Sequence, residues 1–169
     1  PLEGFCLYQP SGGEAQVFLL DESAMAHQML IEKSDSDFTL REIRSFPLPP
    51  NAEYCAVDEV SEQLFISEES IGIWSYPVRA ESEIKRTVVD LIQPYGNLVQ
   101  GSGPLVVVDH QLLVAEKDAN LIHHYVIGDK TTAFNVTYTL PDKVKLDGLS
   151  IKSQADKLLI NYLDDVQEQ

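Results

Sequence analysis

Short apolar runs recur along the chain at a nearly constant interval. Four of them share a polar residue followed by apolar ones, and they occupy residues 16–20, 63–67, 111–115 and 157–161. Steps of 46, 48 and 46 residues separate the anchor positions in these runs, which are Phe18, Leu64, Leu112 and Leu158. A period of about 40 to 50 residues is typical of propeller blades or of helical arrays.

The content of each repeat favours strands over helices. Each anchor run follows another short apolar run across turn-forming residues, and these first runs are 4–8, 54–58, 105–109 and 148–151. Two more strand-like runs follow each of the first three anchors: 27–32 and 39–46, 72–78 and 86–92, 121–127 and 134–140. Val, Ile, Thr and aromatic residues dominate them, as strands prefer. A helical turn over 82–91 is the weaker interpretation, because Thr87, Val88 and Val89 are a β-branched run.

The pattern predicts an all-β protein, a β-propeller of four-stranded antiparallel blades. The predicted blades are 1–50, 51–97 and 98–143, followed by a half-blade over 144–169, all within a single partial domain. About three and a half blades form an incomplete ring, which leaves an unpaired edge and an apolar sheet face open. A β-sandwich whose strand spacing happens to recur is the alternative.

The charge balance narrows the classes of partner. The chain has 12 Lys and Arg against 27 Asp and Glu, a net charge of -15, and 44% of its residues are apolar. The apolar fraction is enough to bury a core. The negative net charge makes nucleic acid and an anionic membrane surface unfavourable partners. Carboxylates do collect hard cations such as calcium, so a phosphate ligand bridged by metal remains compatible.

The chain ends and the cysteines add two expectations. The chain starts at Pro1 without a leader-like pattern, and we interpret it as a mature or excised segment. Cys6 and Cys55 have no metal-type spacing. Two buried, unlinked small hydrophobes are the favoured interpretation, with a disulfide as the alternative.

Several segments resemble the β-propeller phytases. Residues 52–59 resemble the T-E-G-x-x-x-D-D segment of that family, and 63–69 resemble its L-Y-I-A-E-E-D. Residues 72–74 match its I-W, 3–8 resemble its Y-G-F-x-L-Y, and 147–149 match its D-G-I. The resemblance covers nearly the whole chain and is most specific in the Glu-Glu and Ile-Trp piece.

The resemblance implies a calcium-dependent enzyme family. Its members are six-bladed and hydrolyse the phosphomonoesters of phytate, inositol hexakisphosphate, as 3-phytases do. Calcium held by carboxylates would bridge phosphates and neutralise the charge that develops during attack by a metal-bound water. This chain would supply only part of such a ring, and it resembles the incomplete first domain of tandem phytases.

The resemblance assigns three metal ligands and several departures. Glu53, Glu69 and Asp147 match acidic calcium positions, although solvated loop carboxylates or a turn aspartate explain each of them equally simply. The departures replace calcium or phosphate ligands of the family, and they are Glu3, Glu22, Leu98, Gln100 and Lys117. A cation in a metal seat or an anion in a phosphate seat repels its ligand by about 1 kcal/mol or more. An active site in this segment is therefore not expected.

Other polar residues receive plainer interpretations. His123 and His124 are neighbours on a strand and should face opposite sides, so they should not share a metal. Trp74 is expected in the blade core, and the acidic pair at 164–165 as a solvated turn.

Three functions stay open at this point. The first is a non-catalytic, phytase-like segment that supports a neighbouring catalytic propeller domain, with calcium and phytate as possible ligands. The second is a portion of an active 3-phytase, and the third is a generic protein-interaction propeller. The open blade also predicts self-association, and the resemblance implies a secreted or periplasmic location.

Overall fold

The computed structural model describes residues 1–116, 118–140, 146–154 and 157–164, and these contain fourteen strands and no helix. The first blade consists of β1 (Leu2–Tyr8), β2 (Gln16–Asp21), β3 (Met25–Lys33) and β4 (Phe38–Pro47). The second consists of β5 (Ala52–Asp58), β6 (Gln63–Glu68), β7 (Gly72–Pro77) and β8 (Thr87–Leu91). The third consists of β9 (Leu105–Val108), β10 (Gln111–Glu116), β11 (Leu121–Ile127) and β12 (Thr132–Thr139). A final pair consists of β13 (Leu146–Gln154) and β14 (Lys157–Asp164).

The strands form sheets in simple chain order, and every pair is antiparallel. The first strands of the sheets meet one another in the order β1, β5, β9 and β13. These strands therefore line an axis, and the later strands of each sheet lie progressively outward. The prediction of a β-propeller with an open ring is confirmed.

Burial explains why the anchor runs were visible in the sequence. On β6, Leu64 and Ile66 pack in the core between the first two blades, whereas Phe65 packs between the second and third. Side chains alternate across a strand, so a strand covered on both faces is apolar at every position. The outermost strands β4 and β12 are mostly exposed, which gives their alternating pattern.

The structure corrects the interpretation of the cysteines. Cys6 on β1 and Cys55 on β5 form a disulfide, with their Cα atoms 5.7 Å apart. The two innermost strands lie side by side at the axis, so one face of the first blade meets the opposite face of the second. Spacing along the chain does not reveal which side chains such a meeting brings together.

The first blade is uncovered on the side away from the second. Phe5 and Leu7 on β1 expose 62% and 63% of their surface. Their neighbour Cys6 points to the opposite face and is buried between the blades. The incomplete ring therefore leaves one apolar sheet face open, as the sequence predicted.

Candidate functional site

Three innermost strands carry an acidic residue at the same structural position. Antiparallel pairing shifts by one residue between Leu2 and Gly4, between Ala52 and Tyr54, and between Leu146 and Gly148. The extra residue in each bulge is acidic, and the three are Glu3, Glu53 and Asp147. We call this end of the axis, where the innermost strands begin, the bulge end. Bulges re-aim side chains and recur beside functional sites.

Glu3 and Glu53 line a shared cavity of about 360 Å³ at the bulge end. Asp21 and Glu22, from the turn between β2 and β3, also line it. Among the described residues of its wall there is no Lys, Arg or His. Four carboxylates thus surround a space that offers no cationic side chain to a phosphate.

Gly4 allows the first two blades to approach closely beside this cavity. A Cβ at Gly4 would lie 2.1 Å from the carbonyl oxygen of Glu53, which is far inside van der Waals contact. Only glycine therefore fits there without moving the backbone that carries Glu53.

Asp21 and Glu42 hold His27 between them on the uncovered face of the first blade. The His27 Nε2 atom lies 3.0 Å from Asp21 Oδ2, and Nδ1 lies 2.6 Å from Glu42 Oε2. The hydrogen bonds that His27 donates to Glu42 and then to Asp21 raise the pKa of His27 above its ordinary value. The hydrogen bond from His27 is the largest cause that lowers the pKa of Asp21.

Glu69 lies apart from Glu53, in the turn between β6 and β7. It lines a smaller cavity together with Gln100, Gly101, Glu116 and other residues. Its backbone carbonyl accepts a hydrogen bond from the N–H of Ser102 at 3.1 Å. The structure therefore places the two predicted calcium ligands Glu53 and Glu69 on separate cavities.

The departures Leu98 and Gln100 lie in a segment that Glu116 fixes. The Glu116 carboxylate accepts hydrogen bonds from the backbone N–H of Val99 at 2.7 Å and of Gln100 at 2.8 Å. Leu98 is fully buried in the core between the second and third blades. The Glu116 carboxylate thus holds this segment through its backbone amides. The side chain of Leu98 has no oxygen that could bind a metal.

Glu116 is part of a buried hydrogen-bond chain that sequence reasoning missed. His123 Nε2 lies 2.5 Å from Glu116 Oε1, and Thr137 bonds the other ring nitrogen at 2.9 Å. Burial raises the pKa of Glu116, but hydrogen bonds from His123, Val99 and Gln100 outweigh it and leave the pKa below its ordinary value. The sequence could have predicted this contact, because Glu116 and His123 fall on the same face of the β10–β11 hairpin.

The most specific piece of the phytase resemblance forms a compact unit. The buried Glu68 carboxylate accepts a hydrogen bond from the Trp74 indole N–H at 2.7 Å. Arg86 lies over the Trp74 ring, 4.0 Å from its centroid. Trp74 is packed in the core between the first two blades, as expected, and this unit stabilises the second blade.

The remaining predicted positions are scattered or undescribed. Asp147 is exposed on β13, and Glu3 and Glu22 are also exposed. Lys117 and Asp165, the second residue of the acidic pair at 164–165, lie outside the described residues. His123 and His124 face opposite sides of β11, because they pair with Val114 and Leu113, which belong to different core clusters.

Asp90 is a further buried carboxylate that the sequence did not single out. It accepts hydrogen bonds from the Tyr125 hydroxyl at 2.8 Å and from the Asn97 side chain at 3.0 Å. Burial, followed by the charge of Asp90, raises the pKa of Tyr125 strongly. Asp90 ties the outer strand of the second blade to the third, so its role is in blade packing.

The calcium set implied by the resemblance does not assemble among the described residues. Calcium takes six to eight oxygen ligands that converge on one point. Glu53, Glu69 and Asp147 do not converge, and no group of three His, Cys, Asp or Glu side chains in the described ranges is placed to hold a metal. Calcium binding stays a prediction for titration to test.

Within the described ranges, no helix has the length and apolar character to span a membrane.

Comparison with known proteins gives likeness in fold. No family model and no curated protein matches the chain. The crystal structure of Raptor from Chaetomium thermophilum has a TM-score of 0.63 at 10% identity, over 99% of this chain and 16% of that one. The crystal structure of the major allergen Mala s 1 of Malassezia sympodialis has a TM-score of 0.54 at 12% identity, over 94% of this chain and 48% of that one. The chain therefore spans less than half of either structure, and at these identities the likeness concerns the fold alone.

Proposed function

We propose that the chain is a non-catalytic, phytase-like β-propeller segment that supports a neighbouring catalytic propeller domain. The observation that carries this proposal is the cavity at the bulge end, which Glu3, Asp21, Glu22 and Glu53 surround. Phytate is a dense polyanion, and a wall of carboxylates without a cationic side chain repels it. Phosphate recognition elsewhere relies on Arg, Lys or backbone amides aimed at the ligand.

The segment at Leu98 and Gln100 supports the same proposal. Where the resemblance implies carboxylate ligands, this chain has an apolar side chain and an amide. The neighbouring backbone N–H groups, which could have bound an anion, are occupied by Glu116. In this proposal, the chain has the propeller blades of the family, but it has carboxylates and an apolar side chain where a phosphate site would need cations and metal ligands.

The proposal includes location and ligands. The proposed location is secreted or periplasmic, and the disulfide between Cys6 and Cys55 is compatible with such an oxidising compartment. Calcium is the proposed metal if Glu53 retains affinity for a cation, and any contact with phytate would then require that metal.

A charge-reversal experiment tests the proposal. Isothermal titration measures phytate binding, with calcium present, to the unaltered chain and to the double variant Glu3→Tyr, Glu22→Lys, which restores the residues of the family. We expect no measurable heat for the unaltered chain and measurable binding for the variant, because the two substitutions remove carboxylates that repel the phosphates. The matched control is Glu83→Lys, a similar charge change at an exposed residue outside the cavity.

Two results would contradict the proposal. One is tight phytate binding by the unaltered chain, which favours the active 3-phytase. The other is an equal gain from Glu83→Lys, which means that net charge rather than the cavity governs binding.

A generic interaction propeller is the second candidate. It is compatible with the comparisons, because the two reported structures share the fold and add no phytase chemistry to it. Calcium titration discriminates the two, because a ligand that binds the native state must raise its melting temperature. No change in melting temperature across millimolar calcium would favour this candidate.

A further inference from the structure

A further cavity lies at the end of the axis opposite the bulge end, where the innermost strands finish. Its volume is about 380 Å³, which is within the usual range for sites that hold small molecules. One wall is the end of β5 with the turn that follows it, and the other is the end of β9 with the turn to β10. The cavity therefore lies between the second and third blades.

The Asp58 carboxylate in this cavity wall is buried and has one oxygen without a donor. Its side chain is only 6% exposed. Oδ2 accepts hydrogen bonds from the Ser61 N–H at 3.0 Å, from the Ser61 hydroxyl at 2.5 Å and from His110 Nδ1 at 3.2 Å. Among the described residues, no hydrogen bond reaches Oδ1. Because burying a carboxylate oxygen without a donor is costly, this atom indicates a ligand that donates.

His110 adds another hydrogen-bond acceptor to the wall. An ionised carboxylate only accepts hydrogen bonds, so His110 donates its Nδ1 proton to Asp58. In the neutral ring, Nε2 is then an acceptor, and the side chain is 47% exposed.

The turn that carries His110 has an uncommon backbone for its residues. Asp109 and His110 form the two-residue turn between β9 and β10, with φ angles of 46° and 59°. Asn-Gly is the usual pair for a turn with two positive φ angles. Strained backbone of this kind recurs where side chains contact a ligand.

The charged groups of the described wall are all acidic or histidine. The carboxylates are those of Asp58, Glu59 and Asp109, and no Lys or Arg lines the cavity. The backbone N–H of Gln9 donates to Glu59 at 3.2 Å and so orients that side chain. The rest of the wall is apolar, and its side chains are those of Val57, Val60, Val107 and Val108. The cavity thus combines acceptors with an aliphatic surface.

We propose that this cavity binds a primary alkylammonium group, such as the side chain of a lysine. An ammonium has three donors and no acceptor, which matches Asp58 Oδ1, His110 Nε2 and the Asp109 carboxylate. Its alkyl stem packs on the valines, as lysine stems pack on apolar surfaces. A metal ion would need converging ligands, and no three His, Cys, Asp or Glu side chains in the described ranges are placed to hold one.

This site is independent of the proposed function. It lies at the other end of the axis from the cavity of Glu3 and Glu53, and the two cavities share no lining residue. The site would therefore bind its ligand whether or not the chain supports a phytase.

Isothermal titration with Nα-acetyl-lysine amide tests the proposal, because this probe has one ammonium group and no other charge. We expect saturable binding at millimolar concentrations or below. The matched probe is the Nα,Nε-diacetyl form, which keeps the stem and the amides but has no ammonium, and it should give no heat of binding. This comparison needs no variant of the protein.

Two sources of the same group are separated by titrating spermidine in the same way. Tighter binding of the lysine probe would identify the lysine side chain of a protein as the ligand. Tighter binding of spermidine would identify a free polyamine. Either result supports the alkylammonium site, provided that the binding depends on Asp109 as described next.

Variants and amide resonances locate the bound group. Asp58→Asn should weaken binding of the lysine probe by roughly thirtyfold or more, because it removes a buried charge partner. Asp109→Asn should also weaken binding, and it keeps the fold because Asn adopts a positive φ readily. The control is Glu83→Gln, an equal charge change at an exposed residue outside the cavity, and it should leave the affinity unchanged. In NMR spectra of the unaltered chain, the probe should shift the amides of residues 57–61 and 107–110.

Three outcomes would overturn the inference, even if Asp58→Asn does not fold. The first is no binding of the lysine probe, or equal binding of its diacetyl form. The second is equal weakening by Asp109→Asn and Glu83→Gln, which would mean that net charge alone attracts the probe. The third is a set of shifted amides that lies outside the two turns.

Discussion

Glu116 shows how one carboxylate can organise a segment of the axis. Glu116 and its partner His123 are both buried, and the same carboxylate accepts hydrogen bonds from the amides of Val99 and Gln100. Removing one partner of a buried charged pair leaves an uncompensated polar group, which is costly. The residue therefore stabilises the bulge end rather than serving as a ligand for an outside ion.

We predict that Glu116→Gln lowers the free energy of unfolding by about 2 to 4 kcal/mol at neutral pH. Because its folded-state pKa is lowered, Glu116 contributes stability above its ordinary pKa and loses that contribution as the pH falls through the folded value. Urea unfolding should therefore show the difference between the two chains shrinking in acid. Glu83→Gln, at an exposed position, should cost less than about 0.5 kcal/mol, and an equal cost for both variants would refute the assignment.

The contribution of His27 to stability should depend on pH in the opposite direction to that of Glu116. Its pKa is raised by Glu42 and Asp21, so its contribution to stability is present below its ordinary pKa and is lost as the pH rises through the folded value. We expect His27→Asn to cost more stability at about pH 6 than in alkaline solution, once the pH has risen through the folded value and this contribution is lost. Unfolding curves at the two pH values check this, and a cost that does not vary with pH would contradict it.

At the scale of elements, the disulfide joins two strands that meet only because the blades curve around an axis. Cys6 and Cys55 close a loop with a sequence separation of 49 residues. The chain-entropy model gives about 4 kcal/mol of stabilisation for a loop of this size.

The double variant Cys6→Ala, Cys55→Ala should therefore unfold with about 4 kcal/mol less free energy. A reducing agent should destabilise the unaltered chain by a similar amount and leave the double variant unchanged. Chemical denaturation with and without the reductant measures both effects. Equal stability of the two chains under oxidising conditions would show that the bond does not constrain the unfolded state.

Sequence predicted the strands well where burial sets the pattern, as for Leu64, Phe65 and Ile66 between two cores. It predicted boundaries less well where a strand leaves its sheet: β8 ends at Leu91, and Ile92 instead bridges to Leu98. The candidate site was harder to predict, because it depends on which blades meet. Glu3 and Glu53 share a cavity only through the curvature of the ring, and a similar meeting joins Cys6 to Cys55.

For the whole molecule, the arrangement combines stacked propeller blades with a carboxylate-lined cavity at one end of the axis. The blades stack through three core clusters, and three of the four innermost strands carry an acidic bulge at one end of the axis. The cavity beside two of those bulges is lined by carboxylates alone among its charged groups. Under the proposed function, such a segment serves as a scaffold or partner, because a cavity wall of carboxylates repels a phosphate ligand.

Phosphate release from phytate in millimolar calcium tests this account most directly. The purified chain should release no more inorganic phosphate than a buffer blank, and Glu53→Ala should release the same background amount. Calcium-dependent release that Glu53→Ala abolishes would contradict the account and identify the bulge end as a working active site.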